Sequence, residues 1–585
     1  MLASVGALLT TVVPTVAATA ATSATTKPAA SPAGQTVQKL TPRGTVNMRA
    51  LAAAAARAPR PTTERPAPAG QLRHRSVAKT AGAASEPIPN PAPNRSLVAQ
   101  HPGLRGFVGI TAAEQAFANG GLNVEPPDQG LCAANGLLFE QVNLGVALYE
   151  TGGAQVAPVV SLNSFFGLAP LYNGRTYGPF LSDPRCHYDQ QTNRWYVTTL
   201  EIDIDPISGN FANRSSVLIA VSATADPTGN YGLYEVVTTD DGSDGTPAHP
   251  GCPCLGDYPQ IGADGTGFFI TTQEFSLAGS AYNGSQVYAI SKRLLAAAAS
   301  AGLQGAPPVV HFAAGRINGG PSYRLSPAVV PPGGTFPKNR EYFVSTANPL
   351  THSARAMALW TLTGTGTLDT NSPKLNLTHK LIPSRLYTDS GPAVQRPGPR
   401  PLGKEFGNQP AGRIESEGAS VEAPVSFVKG KLSVVIPSGF GTTVTPAERG
   451  VIWFVINPTG GGSMASQGYA RVAGTSLMFP ALAVKADGKG VVAMSAVGPK
   501  LYPSSVYSLF DVDKGMVGPI RVAKYGQGPE DGFTCYKPYS NGECRWGDYS
   551  YAFATKTAVS FATEFIGPSA RTHYLNYSTF VGTIG

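Results

Sequence analysis

The sequence predicts an all-β protein built as a closed ring of small antiparallel sheets, with a long N-terminal segment lying outside the ring. Three observations carry this. Gly (67) and Pro (51) are both abundant, which is the punctuation of a chain with many turns. Short β-branched and aromatic runs recur from Asp128 onward at a spacing of about 10–15 residues. The window GDYPQIGADGTGFFITTQEF, from Gly256, returns in outline as GDYSYAFATKTAVSFATEF, from Gly547, so one structural unit is written at least twice.

The elements follow in chain order. Residues 1–25 are apolar and signal-like, ending in small residues such as Ala17 and Ala18, although no basic residue precedes the apolar run. The stretch is too rich in Thr and interrupted by Pro14 to read as a membrane span, and no other segment approaches one. Residues 26–105 are rich in Ala, Pro, Thr and Arg and lack the periodicity of a core, so they read as a disordered linker. The charge sits there. Eleven Lys and Arg against Glu64 and Glu86 between residues 26 and 100 exceed the whole chain's net +8, leaving residues 101–585 at −1. A near-neutral folded part with a basic tail predicts no nucleic-acid partner.

Residues 106–127 form a lead-in, with a capping-box pattern at Thr111 and Glu114 that starts a short helix. Residues 128–585 then divide into seven units. The first is DQGLCAANG with LLFEQVN and GVALYET. The second is SDPRCHYD, RWYVTTLEID, SSVLIAVSA and YGLYEVV, and the third DYPQIGAD, GFFITTQEF, SQVYAISK and VVHFAAG. Later units are drawn from YRLSPAVV, ASVEAPVSF and MFPALAVKADG, each with the runs that follow it, and from GDYSYAFA to the C-terminus. Four-strand units of roughly 40–65 residues are the repeat of a β-propeller, in which each blade buries its faces against its neighbours. A seven-bladed ring is expected, six or eight blades being the near alternatives and an array of β-sandwiches the rival. The last unit offers three strands, so a strand near Leu104–Ile110 should close the ring.

The motifs DPRCHYDQQTNRW at Asp183, GDYPQIGADG at Gly256 and RWGDYSYAF at Arg545 resemble those of uncharacterised secreted bacterial β-propeller proteins, over roughly residues 125–585. The resemblance implies fold and export. The six cysteines suit export as well. Cys535 and Cys544 flank a short loop and are the expected disulfide, while the pairing of Cys132, Cys186, Cys252 and Cys254 is open.

Chemistry is sought where the innermost strand of a blade starts and its antiparallel neighbour ends, because those points share one face of the ring. This places Asp183 near Glu201, Asp257 near Glu274 and Asp548 near Glu564, flanked by Arg185, Tyr258, Arg545, Trp546 and Tyr549. Propeller glycosidases of five and six blades place carboxylates at such a mouth, where an acid and a nucleophile or base work as a pair. The opposing reading is structural, since Asp at a strand start accepts hydrogen bonds from its own turn. Calcium is the one cofactor the residues suggest, held by Asp183, Asp257 or Asp548 with carbonyls, or by the acidic loop Asp240, Asp241 and Asp244. The eight histidines show no metal-binding spacing, and His187 reads as a blade-packing residue. No nucleophile elbow or phosphate loop is present.

The expected function is therefore an exported or cell-surface binding module for glycan or protein ligands at one mouth of a monomeric ring, a polysaccharide or cell-envelope component being the expected partner. The alternative is a secreted carbohydrate-active hydrolase or lyase using the rim Asp/Glu pairs. An exposed aromatic platform of Tyr258, Phe275, Trp546 and Tyr549 would serve either.

Overall fold

The computed structural model describes residues 34–68, 77, 88 and 93–585, apart from 348, 390, 411, 417, 442–447, 538, 541, 569 and 570. The signal-like segment 1–25 lies outside the described residues. Inside them the chain forms a seven-bladed β-propeller.

Blade 1 comprises Gly130–Ala134, Leu137–Val142, Gly145–Glu150 and Gln155–Ser161. Blade 2 comprises Phe180–Asp189, Arg194–Ile204, Phe211–Ser222 and Asn230–Val237, and blade 3 Cys254–Ala263, Gly267–Ser276, Tyr282–Ser291 and Pro308–Ala313. The inner strands of blades 4, 5 and 6 are Ser326–Val329, Val425–Val428 and Ser476–Val484. Blade 7 has Tyr551–Ala554, Val559–Ile566 and Tyr577–Ile584, and its fourth strand is Arg105–Thr111. Closure by a strand from the other end of the chain removes the sheet edge that an open last blade would expose. Glu140 of blade 1 fastens this closure. It accepts from the Ile110 N–H at 3.0 Å and from Thr579 Oγ1 at 2.5 Å, and a side chain at Gly109 would occupy the space its carboxylate fills.

The blades stack through apolar clusters between neighbours. Tyr196, Ile219 and Val236 of blade 2 pack with Phe268, Ile270 and Ile290 of blade 3, and Trp360 of blade 4 packs with Phe269 and Val310 of blade 3. Trp453 joins blade 5 to Met494 and Phe510 of blade 6. The helix Lys292–Ser300, capped by the Ser291 hydroxyl, packs on blades 2 and 3 within this scheme.

The segment read as a disordered linker is in part built into the ring. Thr36–Lys39 adds a fifth strand to blade 3 and Thr41–Asn47 a fifth to blade 2, and the helix Met48–Ala55, capped by Asn47, follows. Leu97–Val98 runs parallel to the outer strand of blade 6. The physical reason is local: an outer blade strand offers an unpaired ladder, and a few apolar anchors such as Leu40 and Met48, both buried, hold the added strand in place. Averaged composition hides segments this short. Part of the basic charge is used here too, because Arg43 pairs with the buried Glu235 at 3.2 Å.

The inner strands also begin differently from the sequence expectation. They do not start on a shared Asp. Three of them share a β-bulge instead, between Ser182 and Arg185 in blade 2, Asp257 and Gln260 in blade 3, and Met478 and Ala481 in blade 6. Each bulge holds a left-handed residue followed by proline: Asp183 (φ 55°), Tyr258 (φ 56°) and Phe479 (φ 51°). Asp183 is thus the counterpart of Tyr258, and Asp257 sits one residue earlier.

Candidate functional site

The bulges aim side chains at the end of the ring where the inner strands begin. A polar cavity of about 70 Å³ opens there, lined among others by Asp128, Asp183, Asp257, Asp548, Arg324 and Arg545. One carboxylate oxygen from each of Asp128, Asp183 and Asp548 lies within 4.8 Å of the other two. These three residues come from the starts of blades 1, 2 and 7, so the group exists only because the ring is closed.

Asn143, in the tight turn after Leu137–Val142, organises the group. Its amide donates to Asp128 Oδ2 at 2.7 Å and to the Pro126 carbonyl at 2.9 Å, and its Oδ1 accepts from the Asp183 N–H at 2.8 Å. Asp128 Oδ1 accepts from the Asp548 N–H at 2.6 Å. Arg545 makes a two-pronged contact with Glu415 at 2.9 and 3.0 Å and reaches Asp548 at 3.2 Å. The Arg324 guanidinium covers the Tyr258 ring at 3.9 Å and donates to Ser420 at 3.0 Å.

Burial and mutual repulsion set the charge state. Burial, and then the neighbouring Asp548 carboxylate, push the Asp128 carboxyl up to about 7. Asp183 is raised well above the usual range by burial and then by Asp257, Asp128 and Asp548. The mouth therefore holds protons near neutral pH and presents hydroxyl donors beside carboxylate acceptors. The same oxygen-only set is of the kind hard cations take.

The expected site residues divide into three groups. Asp183, Asp257, Tyr258, Arg545 and Asp548 do line the cavity. Arg185 and Tyr549 lie buried beside it. The guanidinium sits 3.2 Å from the Tyr549 ring centroid, its Nε donates to the Pro259 carbonyl, and Nη1 and Nη2 have no hydrogen-bond partner among the described residues. Glu564 is buried behind Gly547 close to Asp128, with burial raising its carboxyl strongly.

Glu201 and Glu274 are corrections. Leu200 and Ile202 line the mouth, and strand alternation turns Glu201, between them, to the other face, where Arg43, Arg214 and Glu235 gather. Glu274 lies opposite Gly256 and joins His249 instead. The aromatic platform is also absent from the surface: Tyr258, Phe275, Trp546 and Tyr549 are all buried, Tyr258 and Tyr549 meeting edge to face at 5.5 Å. Asp241 accepts from Ser243 in its own turn, so the acidic loop behaves there as a solvated turn. His187 is buried against Phe553, as a packing residue.

Asp128, Asn143 and Arg324 were missing from the expected set. Asp128 stands before the inner run of blade 1 as the other acids do, a signal present in PPDQG. Nothing local distinguishes Asn143 or Arg324.

No family model matches the chain, and no curated protein matches it. Among solved structures, it is similar to an exo-β-1,3-galactanase from Clostridium thermocellum at 11% identity and a TM-score of 0.27, covering 71% of this chain and 82% of that one. It is similar to the Cellvibrio cellulosa α-L-arabinanase complexed with arabinohexaose at 9% identity and a TM-score of 0.28, covering 68% and 95%. With the Trypanosoma rangeli sialidase in complex with sialic acid the values are 10%, 0.30, 83% and 59%. Superpositions this loose align no individual residues, and the propeller assignment stands on the strand pairing of the chain itself.

Proposed function

We propose that the protein is a binding propeller, exported or held at the cell surface, whose mouth takes a hydroxyl-rich ligand of the glycan class. The observation that carries this reading is the convergence of Asp128, Asp183 and Asp548 from three blades on one polar cavity. Carboxyl groups in mixed protonation states, with Arg324 and Arg545 beside them, offer the donors and acceptors that vicinal hydroxyls need. A cavity of about 70 Å³ has room for a terminal group of a glycan and not for a run of sugar residues. Export is supported by the signal-like residues 1–25 and by three disulfides, Cys132–Cys186, Cys252–Cys254 and Cys535–Cys544. No helix of the described residues is long and apolar enough to cross a membrane.

One observation favours a second reading, glycoside hydrolysis. Asp128 is pushed up to about 7, as a general acid requires, and has oxygens of two further carboxyl groups within 4.8 Å. The same experiment tests both. The purified chain is titrated with a panel of polysaccharides and oligosaccharides while reducing ends are assayed. Asp183→Asn keeps shape and replaces a carboxyl of the buried cluster by a neutral amide, so it should fold at least as stably as the parent and lose at least tenfold in glycan affinity. No binding by the parent, or unchanged binding by Asp183→Asn, would sink the mouth as the site. Reducing ends that accumulate with the parent and not with Asp128→Asn would make the protein a hydrolase.

A further inference from the structure

Where the chain passes from blade 2 to blade 3, a second group of ionisable side chains is unrelated to the mouth. Asp240 follows the outer strand of blade 2 and adopts φ 47°. His249 returns from the same loop, its N–H donating to the Asp240 carbonyl at 2.8 Å, and Glu274 arrives on the second strand of blade 3. His249 Nδ1 lies 2.8 and 3.1 Å from the two Glu274 oxygens and 3.8 Å from Asp240 Oδ2. One donor atom from each of the three residues fits within 4.8 Å.

Both Asp240 oxygens are fully buried, accept no hydrogen bond from an N–H or O–H donor of the described residues, and lie within hydrogen-bonding reach of the Glu274 carboxyl. Two buried carboxylates facing each other without a lysine or arginine are costly unless a cation or a proton lies between them. His311 walls the site and does not supply that cation. Gln38 donates to its Nδ1 at 3.1 Å and Gln286 Oε1 takes its Nε2 at 3.0 Å, while burial holds the ring neutral.

We propose that Asp240, His249 and Glu274 bind a divalent transition-metal ion of the zinc class. An imidazole nitrogen with two carboxylates suits zinc and its first-row neighbours better than calcium or magnesium. Donor atoms around a tetrahedral zinc at about 2.0 Å stand about 3.3 Å apart, within the spread seen here. Asn283 donates to Glu274 Oε1 at 2.5 Å, which orients the carboxylate and leaves Oε2 toward His249. Three protein ligands leave a fourth position for water, and the His249 side chain, 17% exposed, marks the way in.

The test uses the full chain, stripped with chelator and titrated with zinc chloride alone, with magnesium chloride as control. One zinc per chain is expected, with a rise in melting temperature that magnesium does not reproduce. Cobalt in place of zinc should show the visible absorption of a four-coordinate site. Glu274→Gln and His249→Gln should each weaken zinc at least a hundredfold, whereas Asp183→Asn at the mouth should bind it like the parent. Should His249→Gln fail to fold, Asp240→Asn decides. It relieves charge and keeps shape, so it should fold and lose zinc. A parent that takes up no stoichiometric zinc would show that a shared proton, not a metal, neutralises the pair. Asp240→Asn binding zinc as tightly as the parent would equally overturn the proposal.

Discussion

The mouth and the blade 2–3 crossover each gather buried carboxylates, yet they hold them by different means. At the mouth the acids come from three blades and are wired to backbone amides, to Asn143 and to Arg545. At the crossover they come from one loop and one strand, with an imidazole between them and no arginine. Each is backed by a disulfide, and the contrast repeats. Cys132–Cys186 ties the inner strands of blades 1 and 2 across a sequence separation of 54, while Cys252–Cys254 has a separation of 2 and lies against Glu274. The difference teaches that mouth chemistry is a property of ring closure, whereas crossover chemistry is local. Cutting a contact that ties the blades together at the mouth should unsettle the fold; cutting its counterpart at the crossover should not.

The largest effect follows from the long disulfide. Replacing Cys132 and Cys186 by Ser frees a loop of that length in the unfolded chain, worth about 4 kcal/mol on chain-entropy grounds. Urea unfolding of the double variant measures it, and a loss no greater than that for the Cys252–Cys254 pair would erase the contrast. Next comes Asn143→Ala, which strands the buried Asp183 N–H and removes a donor from Asp128. About 3 kcal/mol of stability should go with it.

Seven blades were legible because each repeats an apolar inner run flanked by turn residues, and even the closing strand was visible as an apolar run without a partner. The mouth was legible only in part. Asp183, Asp257 and Asp548 could be placed at one end of the ring from strand order, but facing depends on register, and a single bulge residue rotates everything beyond it. That is why Glu201 and Glu274 face elsewhere. Asn143 was invisible because its partners are as far as 40 residues away, and the strands at Thr36–Asn47 because their binding edge belongs to blades 2 and 3.

Titration sharpens the comparison further. Asp128 ionises near 3.8 when unfolded and near 7 when folded, so between these values the folded chain holds a proton the unfolded chain has released. Stability from this group is therefore present at the acidic end of the window and is lost as pH rises through about 7. Glu125 and Glu140, also raised to about 7 by burial, act in the same direction. Unfolding free energy should fall by about 2.5 kcal/mol between pH 5 and pH 8 on account of Asp128 alone, and Asp128→Asn should flatten that part of the profile. An unchanged slope in Asp128→Asn would remove Asp128 from the account.

The smallest expected effect is at the crossover. Replacing Cys252 and Cys254 by Ser opens a loop so short that chain entropy assigns it about 1.5 kcal/mol. In the parent Glu274 meets His249 at 2.8 Å and Asn283 at 2.5 Å directly, so the variant should keep both contacts although Asn283 and Glu274 also touch the sulfurs. The ring should therefore melt only slightly earlier, and zinc affinity should stay within about tenfold of the parent, at or below the roughly 10–100-fold that loss of a ligand-orienting partner costs. If the double variant instead lost several kcal/mol, the crossover would prove as dependent on the whole ring as the mouth is, and its acids would have to be counted with the fold. Retained stability together with abolished zinc binding would be the opposite break. It would show that the disulfide itself, lying against Glu274, shapes the donor set, and that the locality of this cluster resides in two cysteines one proline apart.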